Sequence, residues 1–298
     1  MNAWLVELAA AISRATGTAF TPTMTRAVHG GDISQAFSLD DGVRRFFVKA
    51  QPASNIGLFE AEADGLAALA ATHTVRVPQV VTQGTAAGQA FLVLEWLDVR
   101  GHGEAARLGE ALAALHRAPT SGPGGARYGW ARDNWIGATP QRNGWRDDWI
   151  AFWRDQRLGF QLELAAQNGY GGALQQDGDT LLAHLDALFD GYTPAPSLLH
   201  GDLWGGNHGY LADGTPVIFD PAVYIGDREC DLAMTELFGG FAPDFHAAYR
   251  AVWPLDAGCA VRKTLYNLYH VLNHANLFGG GYAAQAERMI AQLMAHIR

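Results

Sequence analysis

Residues 198–220, LLHGDLWGGNHGYLADGTPVIFD, decide how the rest of the chain is to be understood. A short apolar run ends at His200. Gly201 and Asp202 follow, and Asn207 comes five residues after Asp202. Beyond a polar turn at Asp213-Gly214, a second apolar run, Val217-Ile218-Phe219, leads to Asp220. Two short strands flanking a loop would gather Asp202, Asn207 and Asp220 around one small volume. Phosphoryl transfer uses such a trio: one carboxylate takes the proton of an attacking hydroxyl, while an amide oxygen and a second carboxylate hold Mg²⁺. The plainer account is a polar hairpin whose Asp and Asn residues only make turns. His-Gly-Asp alone would leave that account standing. Asn207 and Asp220 following in register favour chemistry, because a motif is weighed by its context.

The spacing His-x-Asp-x-x-x-x-Asn reproduces the catalytic loop of protein kinases, with Gly201 where those enzymes usually carry Arg. Upstream, residues 27–50 have the form of strand, glycine turn, strand, Asp-Gly turn and strand, with Ile33, Phe37 and Leu39 alternating with polar residues. Gly30 and Gly31 would let backbone N–H groups approach phosphates closely, although a Gly-Gly pair by itself fits any hairpin. Lys49, late in the third strand, stands where kinases place a phosphate-binding lysine. The next helix, about 56–71, offers Glu60 and Glu62 as partners to aim it. Two more strands end in Glu95-Trp96-Leu97, where a hinge would present backbone groups to adenine. The first 97 residues therefore form a small antiparallel N-lobe with one inserted helix, and residues 98–298 a larger, mainly helical C-lobe. The expected class is α+β, a two-lobed protein-kinase-like fold.

Bulk properties narrow the partners. The net charge is −9 and no run of Lys or Arg stands out, which argues against nucleic acid and anionic membranes. Two cysteines, Cys230 and Cys259, are too few for a disulfide framework and suit a reducing compartment. With no long apolar stretch and no basic leader, a cytoplasmic location is expected.

The later segments have helical spacing. His116 sits near the end of the helix expected over 104–117, which a helix C-terminus or packing near the catalytic loop would explain. A glycine-rich aromatic loop over 119–144 is a candidate border of the acceptor site. A long helix over 147–168 carries Trp149, Phe152, Trp153 and Phe160, an aromatic stripe expected in the core. Another helix spans 173–189. A further helix starts at 227–229, and Asp231 in its first turn would accept N–H bonds from the catalytic loop, with His200 supporting the same loop. His270 and His274 stand one turn apart, but a zinc site needs three or four converging ligands and no third is evident.

Two segments, LLHGDLWGGN and DPAVYIGDRECDLAMTELFGGF, resemble the fructosamine (ketosamine) kinase family within the protein-kinase-like, aminoglycoside phosphotransferase-like superfamily. GGDISQAF, FFVKA with FEAEADGL, and WIGATPQRNGWRDDWIAFW are also similar to it, so the likeness runs over nearly the whole chain. The resemblance implies ATP- and Mg²⁺-dependent phosphorylation of the 3-hydroxyl of a ketosamine, free or protein-bound, in deglycation repair. It implies Asp202 as base, Asn207 and Asp220 as Mg²⁺ ligands, Lys49 on phosphates and Glu62 as its partner. It also implies a hinge at Glu95, Trp96 and Leu97, and Trp204 as a candidate substrate contact. The redox-sensitive glycine-loop cysteine of some family members is missing here, where residues 29–32 read His-Gly-Gly-Asp.

Three rivals remain at this stage. A kinase for aminoglycosides or choline would share the fold and the bare motif. A non-catalytic nucleotide-binding module would be expected to lack one of Lys49, Asp202, Asn207 or Asp220, and all four are present. A metal-dependent hydrolase would leave the glycine turn and Lys49 unexplained.

Overall fold

The computed structural model describes residues 3–28, 34–120, 122–125 and 127–297. By compactness the chain divides into two units, residues 1–104 with 206–221, and residues 105–205 with 222–298. A single cut after residue 97 would leave the 208–218 hairpin with the helices, whereas the structure groups it with the sheet. Tyr210 exchanges backbone hydrogen bonds with Arg100 (2.8 and 2.9 Å), and Val217 bridges to Arg76.

The first unit holds α1 (Ala3–Thr16), β1 (Met24–Ala27), β2 (Gln35–Asp40), β3 (Arg45–Pro52), α2 (Ile56–Ala71), β4 (Val80–Ala86) and β5 (Gln89–Glu95). The five strands make one antiparallel sheet in the order β1-β2-β3-β5-β4. Asp41 sets the β2–β3 turn, its Oδ1 accepting from the N–H groups of Val43 (2.9 Å) and Arg44 (2.7 Å). Strand alternation then sorts the side chains. Phe46 and Val48 of β3, with Phe91 and Val93 of β5, meet Leu8 and Ile12 of α1 in one core. Leu8 and Ile12 are fully buried, each burial stabilising by about 2 kcal/mol. Lys49, one residue on from Val48, takes the other side, where α2 supplies its partner.

The second unit is mainly helical. The expected helix at 104–117 is Ala105–Arg117. The glycine-rich stretch expected as loop contains a short hairpin, Asn134–Ile136 paired with Thr139–Gln141. The long aromatic helix begins at Trp149, where Asp148 caps it by accepting the Ala151 N–H at 2.6 Å. It is not α-helical throughout: a π turn, Arg154–Leu158, separates Trp149–Trp153 from Gly159–Gln167. Trp149, Phe152 and Trp153 are core residues, as their spacing implied, and Trp153 meets Tyr266 edge-on at 4.8 Å. Phe160 is only half-buried, beneath the Arg142 guanidinium. The run expected as one helix over 173–189 changes to a 3₁₀ turn at Leu185–Phe189.

The two short strands flanking the central loop do not pair with each other. Pro196–Leu199 pairs with Tyr224–Asp227, and Pro216–Ile218 pairs with His208–Tyr210. Alternating apolar residues predict a strand but carry no record of its partner.

On the helix Cys259–Phe278, His274 spends Nδ1 on the His270 carbonyl (2.8 Å), and no group of three metal-ligating side chains occurs among the described residues. Burial, with His274 adding to it, holds the His270 pKa down to about 3. Below an ordinary pKa near 6.5 the unfolded chain gains a proton that the folded chain refuses. Stability is therefore lost as pH falls from that value towards 3. Acidification from about pH 7 to about pH 5 should cost about 2 kcal/mol through this group alone. Thermal midpoints of His270→Leu should fall less over that interval than those of the natural sequence. Parallel curves would remove His270 as the cause.

Candidate active site

In the second unit, the strand Pro196–Leu199 delivers His200, Gly201 and Asp202. Asp231 anchors this turn from the first turn of the helix Glu229–Leu237. Its Oδ2 accepts the His200 N–H at 2.7 Å, and its Oδ1 accepts the Gly201 N–H at 2.9 Å. His116 Nε2 lies 3.1 Å from the same Oδ2, and His116 Nδ1 lies 2.8 Å from the Tyr249 hydroxyl. Asp231 is 1% exposed, so burial works against its charge. The His116 hydrogen bond and the Gly201 N–H, among the groups around it, outweigh burial and hold its carboxyl below the usual range. A buried carboxylate with several donors stiffens the loop it holds. Asp231 thus accepts two backbone N–H groups of this turn, and His116 belongs to the same cluster. Tyr249 was not singled out in the sequence, where it is one aromatic residue on an ordinary amphipathic helix.

His200 is fully buried, and its Nδ1 accepts the Asp202 N–H at 3.3 Å. Gly201 has φ +82°, and a Cβ there would collide with the Ala222 carbonyl oxygen. That close approach explains glycine where protein kinases carry arginine. The turn continues with the Trp204 N–H on the Asp202 carbonyl at 3.1 Å, and the Trp204 side chain is 38% exposed.

In the first unit, the 208–218 hairpin aligns the other two residues of the trio. His208 faces Ile218 in register, and the Phe219 N–H donates to the Asn207 carbonyl at 3.0 Å. Asp220 comes next. It is not on the strand but just past it, with φ +57°, a left-handed backbone that aspartate tolerates better than most residues. Lys49 Nζ lies 2.7 Å from Asp220 Oδ1 and 2.8 Å from Glu62 Oε1. Of the two helix glutamates, Glu62 is therefore the partner. Burial works against the Lys49 charge, but Asp220 and Glu62 outweigh it and raise its pKa above the ordinary lysine value. Burial pushes the Glu62 carboxyl up while Lys49 pulls it back. An ammonium 2.8 Å away, itself strongly stabilised, holds the cluster as an ion pair.

Glu95 ends β5 opposite Phe46, and its carboxylate is spent on Arg76 (2.6 Å) and the Gln79 N–H (2.5 Å). Trp96 Nε1 donates to Asp98 at 2.7 Å with Arg45 over the ring, and the Leu97 carbonyl accepts from Val99 N–H at 2.9 Å. The Glu95 and Trp96 side chains are thus tied back into their own unit, and the Glu95 N–H is likewise paired, with the Gln79 carbonyl at 2.9 Å. Gly30 and Gly31 lie outside the described residues. A cavity of about 310 Å³ elsewhere in the second unit is lined by Glu229, His246 and Lys263 among others, and by none of the trio.

A lysine bridging a helix glutamate and an aspartate, together with an His-Gly-Asp turn and an Asn–Asp hairpin, defines a protein-kinase-like phosphotransferase. An ADP-bound aminoglycoside phosphotransferase shares the fold, with a TM-score of 0.67 at 12% identity over 98% of this chain and 99% of that one. The model of the fructosamine kinase family matches residues 5–296, and the chain belongs to that family. A Synechocystis sp. protein named "Probable ketoamine kinase" is 48% identical over 289 residues, 96% of each chain. The chloroplastic protein-ribulosamine 3-kinase of Arabidopsis thaliana is 41% identical over 276 residues, 92% of this chain and 83% of that one. A crystal structure from Haemophilus somnus 129PT, assigned to fructosamine-3-kinase, superposes with a TM-score of 0.87 at 30% identity, covering 96% of each chain.

Proposed function

We propose that this enzyme transfers the γ-phosphoryl group of ATP to the 3-hydroxyl of a ketosamine, the adduct of a sugar with an amine. The observation that carries this reading is Lys49 bridging Glu62 and Asp220, in a chain whose relatives are named ketoamine and ribulosamine kinases. Lys49 contacts the phosphates, and Glu62 keeps its ammonium aimed. Asn207 and Asp220 are the residues that would hold Mg²⁺. An amide oxygen and a carboxylate oxygen aligned by one hairpin are the hard donors this ion prefers. When bound, the ion neutralises charge on the phosphates.

Asp202 accepts the proton of the acceptor hydroxyl. The transition state of phosphoryl transfer is loose, so alignment matters more than base strength. This is the purpose of the Asp231 anchor under His200 and Gly201. The backbone of Glu95 to Leu97 serves adenine, and the exposed Trp204 ring meets the sugar. The acidic charge and two unpaired cysteines support a cytoplasmic enzyme without a nucleic-acid partner. Solved aminoglycoside phosphotransferases share only the fold at 12–16% identity, so they say nothing of the acceptor.

The test is ADP release from Mg·ATP with fructosyl-lysine, ribulosyl-lysine and an aminoglycoside as acceptors. Turnover on a ketosamine is expected. Turnover on the aminoglycoside alone would overturn the substrate and leave the reaction class.

A further inference from the structure

Three sets of hydrogen bonds meet at Ala222 and its neighbour. The Ala222 N–H donates to the His200 carbonyl at 2.8 Å, and Gly201 lies against the Ala222 oxygen. That oxygen accepts from Gln141 Nε2 at 3.1 Å, and the Val223 carbonyl accepts from Asn134 Nδ2 at 2.7 Å. Gln141 and Asn134 are the inward side chains of the 134–141 hairpin, 1% and 4% exposed.

The bonds of this cluster run one way, from a group that can only donate, Arg157, to two carbonyls that can only accept, Ala222 and Val223. Arg157, fully buried in the π turn, donates from Nη2 to Asn143 Oδ1 at 2.8 Å, and from Nη1 to the carbonyls of Arg142 and Gln156. Its guanidinium lies 4.1 Å over the Tyr224 ring, and no carboxylate forms an ion pair with it among the described residues. Arginine can only donate, so Asn143 Oδ1 must accept and Asn143 Nδ2 must donate onward. Asn134 Oδ1 takes that bond at 3.0 Å and a second from Gln141 Nε2 at 2.8 Å. Asn134 Nδ2 is then left for Val223, and the remaining Nε2 hydrogen of Gln141 for Ala222. Tyr269 closes the chain by donating to Gln141 Oε1 at 2.8 Å. A buried cation without an acid is costly, and here its hydrogens go to one side-chain amide and two carbonyls, consistent with the direction the Ala222 and Val223 carbonyls demand at the other end.

We propose that Gln141 is a positioning residue for phosphoryl transfer, held in its working orientation by the amide chain that starts at Arg157. It acts through Ala222, fixing the His200 carbonyl while Asp231 holds the His200 and Gly201 N–H groups, and so the placement of Asp202. This rests on the ketosamine-kinase reading for its consequence, but not for its geometry. Gln141→Met keeps the volume and removes the donor.

Two readouts on the purified full chain separate the possibilities. Amide hydrogen exchange at His200 and Gly201 should quicken by about tenfold or more, beyond any general change in the second unit. Turnover per folded molecule should fall by about tenfold to a hundredfold with KM for Mg·ATP within about twofold, as expected when reacting groups are misplaced rather than unbound. Unchanged exchange at the two amides overturns the proposal. So does uniform loosening with full turnover, which marks Gln141 as merely structural. If the natural sequence turns over no ketosamine, the function reading fails while the exchange result still decides whether Gln141 holds the loop. Should Gln141→Met not fold, Arg157→Lys keeps the charge, loses the fork, and must shift both readouts in the same direction.

Discussion

Asp202→Asn is expected to lower kcat on a ketosamine by about a thousandfold while leaving ADP affinity unchanged. A positioned general base is worth about 10²–10⁴ in rate, and an amide of the same shape cannot take the hydroxyl proton. The surrounding turn should keep its backbone anchors, which the substitution leaves in place: His200 and Gly201 N–H on Asp231, and Asp202 N–H on His200 Nδ1. Steady-state kinetics with calorimetric ADP titration separate the two effects. A variant keeping more than about a tenth of its turnover would remove Asp202 from the role of base, since that loss falls below what a base contributes.

Asp220→Asn should act on nucleotide binding instead. Asparagine tolerates the left-handed backbone at φ +57°, so the change removes charge without adding strain. Alanine would do both. Losing the carboxylate takes one of two proposed metal donors and leaves Lys49 with Glu62 alone. Mg²⁺ should then tighten ATP binding at least about tenfold less than it does in the natural sequence, a loss in the range of one charge-assisted contact. ATP without Mg²⁺ should bind at least as well as before, since a negative charge near the phosphates is gone. An unchanged Mg²⁺ increment would exclude Asp220 as a ligand.

Much of the site's geometry is legible in the chain because its parts are local. Asn207 and Asp220 are the two ends of one hairpin, and the Asp213-Gly214 turn between two apolar runs announces it. Lys49 needs only strand alternation to leave the core that Val48 joins, and a helix one connection later to meet Glu62. Asp231 stands out as a carboxylate in the first turn of a helix, but its donors, the His200 and Gly201 N–H groups, lie 31 and 30 residues back and reach it only through the fold. Gly201 shows a harder case: the sequence marks the departure from the kinase pattern, but its cause is the Ala222 carbonyl.

The sequence by itself carried the antiparallel strands and the helical second half, through periodicity and turn residues, and the family, through the resemblance of its motif segments. Tertiary structure alone decided the pairing of Pro196–Leu199 with Tyr224–Asp227 and the grouping of the 208–218 hairpin with the sheet. It alone made the amides of a glycine-rich stretch into a clamp on Ala222. The reason is physical. A hydrogen bond between residues 81 positions apart, as between Gln141 and Ala222, is satisfied by convergence in space and leaves no periodic trace along the chain.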